Sequence, residues 1–372
     1  MRRLGVDARK LSDFGIGTYL QGLLAELARM DPDGGMVVLV SPEGREFLPR
    51  LPASWRVVDV EAAGYSVREQ LVIPYAAMRA GVEVLHVPHY VFPLLYPGRL
   101  IVTIHDIIHV LFPEFLPNSL GFLYARLLIA TAVRRARRVV TVSETTADDL
   151  QRLFGASGER LRVIPNGVAD DFLAEGDPEE DERLRRGLGL APPYILHVGN
   201  DKPHKNVEAV LKAYQLLRHA GRDALPPLVA AGGFAAGGPL EVRARALGLR
   251  GLVRCLGHLG RRELAAVFRG ATVFVYPTLY EGFGLPVLEA MACGVPVVAG
   301  DIAAVREVAN DAVIRVNPRD VVELSAAIRK VLDHPELRSD LARRGRETAG
   351  GYRWKRAAEA TLAVYRAVQE ES

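Results

Sequence analysis

The chain has 372 residues, enough for two domains that each bury a core of their own. With 49% apolar and 24% charged residues it has the composition of an ordinary globular protein, which excludes a disordered one. A formal net charge of +3 gives no argument for a nucleic-acid partner, although an anionic ligand or surface would not be repelled.

From the N-terminus, charges recur too early in Met1–Lys10 for the apolar core of a signal peptide. No uninterrupted apolar stretch approaches the ~20 residues that cross a bilayer. Arg3–Ala8, Val37–Val40, Val57–Val60, Val84–Val87, Leu100–Ile104, Arg138–Val142 and Arg162–Ile164 read as short strands. Several are almost wholly apolar, as strands covered on both faces are. Between them Gly17–Met30, Val67–Met78, Ser119–Arg135 and Glu144–Phe154 carry helical periodicity, the last with Ser143 as its N-cap. The acidic segment Phe172–Gly189 breaks the rhythm and reads as the crossing into a second domain.

Beyond it the alternation restarts. Tyr194–Val198, Leu228–Ala231, Leu252–Cys255, Thr272–Tyr276 and Val295–Ala299 read as strands. Val207–Arg218, Pro239–Leu247, Arg262–Phe268, Pro286–Cys293, Val321–Leu332 and Pro335–Thr348 read as helices. This βα alternation predicts an α/β protein of two doubly wound, Rossmann-like domains, residues 1–173 and 174–353. A last helical stretch, 354–372, is expected to pack back on the first domain. Ligands of such sheets sit beyond the carboxyl ends of the strands, so the loops after strands carry the functional signal. Cys255 and Cys293 lack the spacing of a disulfide framework or a zinc knuckle and point to a reducing, cytoplasmic setting.

The most readable loop runs from Tyr276 to Gly294. A strand ends, glycines follow, Pro286 stands at a helix start and Gly294 at a helix end. The free amides of Phe283, Gly284 and Leu285 suit an anion such as a diphosphate, and Gly282 and Gly284 allow close approach. Glu281 and Glu289 are good acceptors for vicinal hydroxyls. The plainer alternative makes Glu289 a complement to the helix N-terminus and Glu281 a solvated charge.

This segment resembles the signature of the retaining glycosyltransferases of family 4, whose Glu-x7-Glu element is matched by Glu281-Gly-Phe-Gly-Leu-Pro-Val-Leu-Glu289. The resemblance implies the GT-B fold, two Rossmann-like domains facing across a cleft. It further implies that Glu281 and the amides of Phe283, Gly284 and Leu285 hold the donor sugar and phosphate, and that Glu289 holds the donor ribose. Lys205, in the block His197–Asn206, resembles the family's diphosphate-binding lysine. Asn200 and His204 stand where many relatives carry arginine, which leaves Lys202 or a protonated His204 as the second cation. His105, at the end of a strand, resembles the family's cleft histidine. Gly15 and Gly17 resemble its glycine-rich first loop, and a tight turn without a ligand is the alternative there. Pro165-Asn166-Gly167-Val168 also matches and reads as a hinge. Gly257, after another strand, lies by position near the nucleotide base.

The expected reaction is transfer of a hexose from a GDP-mannose or UDP-glucose type of donor to a glycan, lipid-linked or small-molecule acceptor, with retention. The motifs hold no carboxylate pair placed as in retaining glycosidases. With no metal cluster and no convincing Asp-x-Asp element, a metal-independent reaction without a bound cofactor is expected. The run Arg134-Arg135-Ala136-Arg137-Arg138 reads first as a solvated helix end complementing its own dipole, and second as a peripheral membrane contact. A sugar-nucleotide epimerase and a non-catalytic sugar-nucleotide-binding protein are the rival readings. A nicotinamide enzyme is more distant, because the third glycine of its fingerprint is missing.

Overall fold

The computed structural model describes residues 3–62, 66, 68–115, 119–220 and 225–371. The chain forms two compact units, Met1–Gly167 with Arg353–Ser372, and Val168–Tyr352.

The first unit contains β1 (Leu4–Asp7), α1 (Phe14–Met30), β2 (Val37–Val40), β3 (Arg56–Asp59), α2 (Glu69–Arg79), β4 (Val84–Val87), β5 (Arg99–Ile104), α3 (Ile108–Leu111), α4 (Ser119–Arg135), β6 (Arg138–Thr141), α5 (Glu144–Phe154) and β7 (Leu161–Val163). Its seven strands form one parallel sheet in the order β3-β2-β1-β4-β5-β6-β7. Leu20, Leu23, Leu24 and Leu27 of α1 are fully buried, each contributing about 2 kcal/mol. The other layer seats α2, α4 and α5 through Ile73, Ala77, Leu128, Ile129 and Leu150. Ser143 caps α5 through its Oγ, which accepts from the Thr146 amide at 3.0 Å. The helix expected at Val67–Met78 is seen from Glu69, and Val67 lies outside the described residues.

The second unit contains α6 (Asp170–Leu173), α7 (Pro178–Gly187), β8 (Ile195–Gly199), α8 (Val207–His219), β9 (Leu228–Gly232), α9 (Pro239–Ala246), β10 (Val253–Cys255), α10 (Arg261–Gly270), β11 (Val273–Tyr276), α11 (Leu285–Ala292), β12 (Val297–Gly300), α12 (Ala303–Ala309), β13 (Ile314–Val316), α13 (Val321–Asp333) and α14 (Pro335–Ala349). Its parallel sheet has the order β10-β9-β8-β11-β12-β13. The chain then returns as α15 (Trp354–Glu370), which packs on α1 in the first unit.

A buried polar relay fastens α15. His86 shares a 2.6 Å hydrogen bond through Nδ1 with the Tyr365 hydroxyl and a 2.8 Å one through Nε2 with Thr103 Oγ1, which in turn lies 3.2 Å from the Tyr19 hydroxyl. Burial pushes the His86 pKa down to about 3, so the ring is neutral and bonds at both nitrogens.

Three sequence expectations are corrected. The acidic segment after Phe172 is not a linker. Asp177 caps α7 with its carboxylate, Pro178 opens the helix, and Asp181 is buried in an ion pair with Arg269. The unit boundary accordingly falls at Gly167–Val168 rather than after Leu173, because α6 packs on α10 and α11. The stretch Gly15–Tyr19 is the start of α1 rather than a loop. A Cβ at Gly17 would stand 2.3 Å from the Leu11 carbonyl oxygen, so glycine there serves backbone packing. α12 and β13, for which the sequence gives no expectation, carry too few residues to show a period of their own.

Candidate active site

In the second unit the strand order reverses between β8 and β11, where the loops that follow these two strands part. The β8 loop runs through Asn200 and Lys202 into one tight turn, Pro203–Lys205, and then through Asn206 in the left-handed region (φ 56°) into α8. Asn206 Nδ2 donates to the carbonyls of Pro277 (3.0 Å) and Pro318 (2.7 Å). The Leu279 amide donates to the His204 carbonyl at 2.8 Å, and Thr278 Oγ1 lies 3.0 Å from the same oxygen. These bonds stitch the loops after β8, β11 and β13 into one platform.

On this platform Lys205 Nζ donates to Glu281 Oε1 at 2.6 Å and to the Tyr276 hydroxyl at 2.7 Å. Tyr276 and Thr278 donate to the same Oε1 at 2.8 and 3.0 Å. Three donors therefore fix one carboxylate oxygen, and Oε2 accepts from no described residue. Burial raises the Glu281 pKa, but the Lys205 charge and the hydrogen bonds from Lys205 and Tyr276 outweigh it, and the carboxyl stays below its ordinary value. Beneath, His197 Nδ1 donates to the Val275 carbonyl (2.9 Å), while burial lowers its pKa to about 4 and leaves it neutral.

Beyond Glu281 the chain turns through Gly284, whose φ of +98° only glycine adopts without strain, into α11. Pro286 occupies its first turn, and Gly294 (φ 71°) follows its C-cap. The amides of Phe283, Gly284 and Leu285 donate to no described acceptor, the arrangement that suits an anion at a helix N-terminus. Glu289, inside α11, is 9% exposed. Burial raises its pKa to about 8 against the opposing charge of Arg261, so it holds its proton at neutral pH and can donate as well as accept.

The other second-unit candidates differ in placement. Asn200 uses Oδ1 to cap the Lys202 amide at 3.3 Å, and the Lys202 side chain is exposed. His204 is half-buried and adds to the positive field on Glu281. Gly257 (φ 71°) joins the strand ends, its carbonyl accepting from Gly232 and its amide donating to Phe234. Tyr276, Thr278 and Arg261 escaped the sequence reading. A tyrosine and a threonine flanking Pro277 look like strand-end residues until the fold aims both hydroxyls at one carboxylate.

In the first unit the strand order reverses between β1 and β4, and there a cavity of about 450 Å³ opens. Asp7, Arg9, Glu69 and His89 are among its lining residues. Arg9 holds Asp7 by two 2.9 Å bonds and lies 3.6 Å from Glu69. No sequence motif announced this chain of charges. His105 lies alongside, its Nε2 donating at 3.1 Å to the carbonyl of Pro88, a lining residue. Tyr19 meets its ring edge-on at 4.8 Å, and burial lowers its pKa to about 4. His105 is thus neutral at physiological pH. Among the described residues no cluster of three metal-ligating side chains occurs, and no helix is long and apolar enough to cross a membrane.

The model of the family "Glycosyl transferases group 1" matches residues 179–348, and that of "Glycosyltransferase Family 4" matches 15–172. The O-antigen chain mannosyltransferase B of Escherichia coli is 30% identical over 284 residues, 76% of this chain and 74% of that one. A D-inositol 3-phosphate glycosyltransferase of Geodermatophilus obscurus is 37% identical over 64% of this chain, a match that spans 54% of that relative. Among solved structures, HepE of Anabaena in complex with UDP-glucose superposes with a TM-score of 0.79 at 18% identity, over 99% of this chain and 100% of that one.

Proposed function

The chain belongs to the group 1 glycosyltransferases of family 4, with their two parallel-sheet α/β units, and from that premise we propose that it transfers a hexose from a nucleotide-diphosphate sugar to a hydroxyl of a glycan, lipid-linked or small-molecule acceptor, with retention. The observation that carries this reading is the Lys205–Glu281 pair at 2.6 Å, held by Tyr276 and Thr278 beside the open amide end of α11. A cation, a helix N-terminus and a carboxylate with one oxygen to spare are what a sugar diphosphate needs.

In this reading the diphosphate lies against the amides of Phe283, Gly284 and Leu285, and Lys205 turns its remaining N–H toward a phosphate oxygen. A lysine about 4 Å from a phosphate charge contributes about 4 kcal/mol at an effective dielectric near 20, before desolvation. Glu281 Oε2 receives a sugar hydroxyl. Glu289, protonated at neutral pH, exchanges hydrogen bonds with the ribose. The bond from the anomeric carbon to the phosphate oxygen breaks as the acceptor oxygen bonds to that carbon on the same face. The acceptor's proton passes to the departing phosphate. Protein groups orient and stabilise charge without forming a covalent intermediate. With cations and amides facing the diphosphate, we take the reaction to need no divalent metal.

The acceptor belongs, on this reading, to the first unit. The Asp7–Arg9–Glu69 chain carries one net negative charge and suits hydroxyls better than a phosphate. The name of the E. coli relative favours mannose as the sugar. The test is a panel of nucleotide sugars screened by thermal shift, followed by turnover with and without EDTA. Glu281→Gln and Lys205→Ala are expected to keep the fold and lower kcat by about 100-fold or more. Near-normal rates in both variants would remove the site from the chemistry.

A further inference from the structure

Thr103, near the end of β5, and His105, just beyond it, stand two positions apart and project to one face of the sheet. Tyr19 of α1 spans both. Its hydroxyl lies 3.2 Å from Thr103 Oγ1, and its ring meets the His105 imidazole edge-on, at 4.8 Å and 80°. The ring of Tyr19 is held from behind. Trp354 of α15 stands 6.1 Å from it, and Gly22 of α1 admits the indole, because a Cβ there would stand 2.3 Å from it. Thr103 is itself fixed by His86 at 2.8 Å. Burial pushes the Tyr19 phenol up to about 12, so it keeps its proton and takes no part in proton transfer near neutral pH.

His105 is under three restraints. Thr146 Oγ1 donates to its carbonyl at 3.3 Å, Nε2 donates to the Pro88 carbonyl at 3.1 Å, and Tyr19 lies against the ring. The first fixes the backbone, and the second fixes the tautomer and one atom of the ring. Neither sets the ring plane, because a ring can rock about a single hydrogen bond at little cost. With the Nε2 proton committed, Nδ1 carries a lone pair in that plane and has no partner among the described residues. The direction of the lone pair is therefore set by Tyr19.

We propose that Tyr19 is a positioning residue for transfer: clamped between Trp354 and His105 and tied to Thr103, it holds the imidazole in the plane that aims Nδ1 at a substrate hydroxyl. The inference rests on the transferase reading, in which His105 meets the substrate, and adds to it a residue that acts through His105. The titratable groups around His105 are Tyr19, His86 of β4, His89 beyond β4 and Asp106, whose Oδ1 accepts from the Ile108 amide at 3.0 Å. Burial lowers the pKa of both neighbouring histidines, so neither adds a positive charge near neutral pH.

The test has a kinetic and a spectroscopic arm. The kinetic arm follows hydrolysis of GDP-mannose or UDP-glucose, whichever the thermal-shift panel selects, with water in the acceptor's place. Tyr19→Leu, assayed well below its Tm, should lower kcat about 30-fold and leave KM within about two-fold. Tyr19→Phe, which keeps the ring, should recover most of that loss. In a His105→Ala background Tyr19→Leu should cost nothing further, because the two side chains act as one unit. Tyr365→Phe, which loosens the same relay without touching His105, should keep the parent's kcat. The spectroscopic arm is nitrogen NMR of ring-labelled histidine, with His105 identified by the signals that His105→Ala lacks. In the parent, Nδ1 should be unprotonated and the ring should not titrate between about pH 8 and about pH 5.5, whereas in Tyr19→Leu water reaches the ring and the midpoint should rise to about 6. The proposal is overturned if the losses in Tyr19→Leu and His105→Ala add, if Tyr19→Phe is as slow as Tyr19→Leu, or if His105 titrates alike in Tyr19→Leu and the parent. A parent that hydrolyses neither sugar nucleotide removes the transferase reading instead, and the spectra then decide alone whether Tyr19 sets the ring.

Discussion

In Val168–Tyr352 the polar side chains gather where two neighbouring strands part, and Lys205, Tyr276, Thr278 and Glu281 share a single carboxylate oxygen. In Met1–Gly167 comparable groups lie deeper and further apart in the chain. His86 bridges Thr103 and Tyr365 inside the core, and Arg9 reaches Asp7 and Glu69. One unit builds its polar centre from the end of β11 and two short loops. The other draws on strands, a helix and the returning C-terminal segment. The contrast suits the donor site proposed above, which must hold one fixed ligand geometry. A local centre is broken by local changes, whereas a distributed one loses a single tie at a time.

The largest effect expected from this contrast comes from Asn206. Its side chain serves two carbonyls while its backbone is left-handed. Asn206→Ala removes both bonds and places alanine at a positive φ, a loss of about 3 kcal/mol in denaturant unfolding. Asn206→Gly should regain about 1 kcal/mol of it. Equal stabilities for the two variants would show that the backbone conformation costs nothing there.

A smaller effect is expected in the first unit. Tyr365→Phe leaves one nitrogen of buried His86 without its partner and should lower stability by about 2 kcal/mol. Activity with saturating donor should be nearly unchanged. A change under about 0.5 kcal/mol would mean that water replaces the hydroxyl and that the relay is not what fastens α15.

The smallest is a difference in pH response. The native His86 and His105 have pKa values near 3 and 4, below the ordinary 6.5. Between those values the unfolded chain binds the extra protons, so their contribution to stability is present above pH 6.5 and is lost as pH falls. Glu289 has the opposite sign. Its native pKa near 8 exceeds the ordinary 4.5, so its contribution is full below pH 4.5 and is lost as pH rises toward 8. Glu289→Gln should flatten the decline in stability between pH 6 and pH 7 by about 1 kcal/mol. An unchanged slope would mean that the carboxyl is ionised in the native state.

The sequence by itself determined the α/β alternation, most strand and helix positions, and the segment from Tyr276 to Gly294. In each case the signal is local. Apolar runs, a proline at a helix start, glycines at turns and Glu-x7-Glu all lie within one window of the chain. The tertiary structure alone decided which residues complete the site. Lys205 reaches Glu281 and Tyr276 only when β11 lies beside β8, and His86 meets Tyr365 across 279 positions. It also showed that Gly15–Tyr19 is helical and that Phe172–Gly189 is packed structure rather than a linker. A helix that is apolar on both sides, as α4 is, has no period that tells core from surface. Buried polar groups, in turn, are satisfied by whatever the fold brings within about 3 Å, at any distance along the chain.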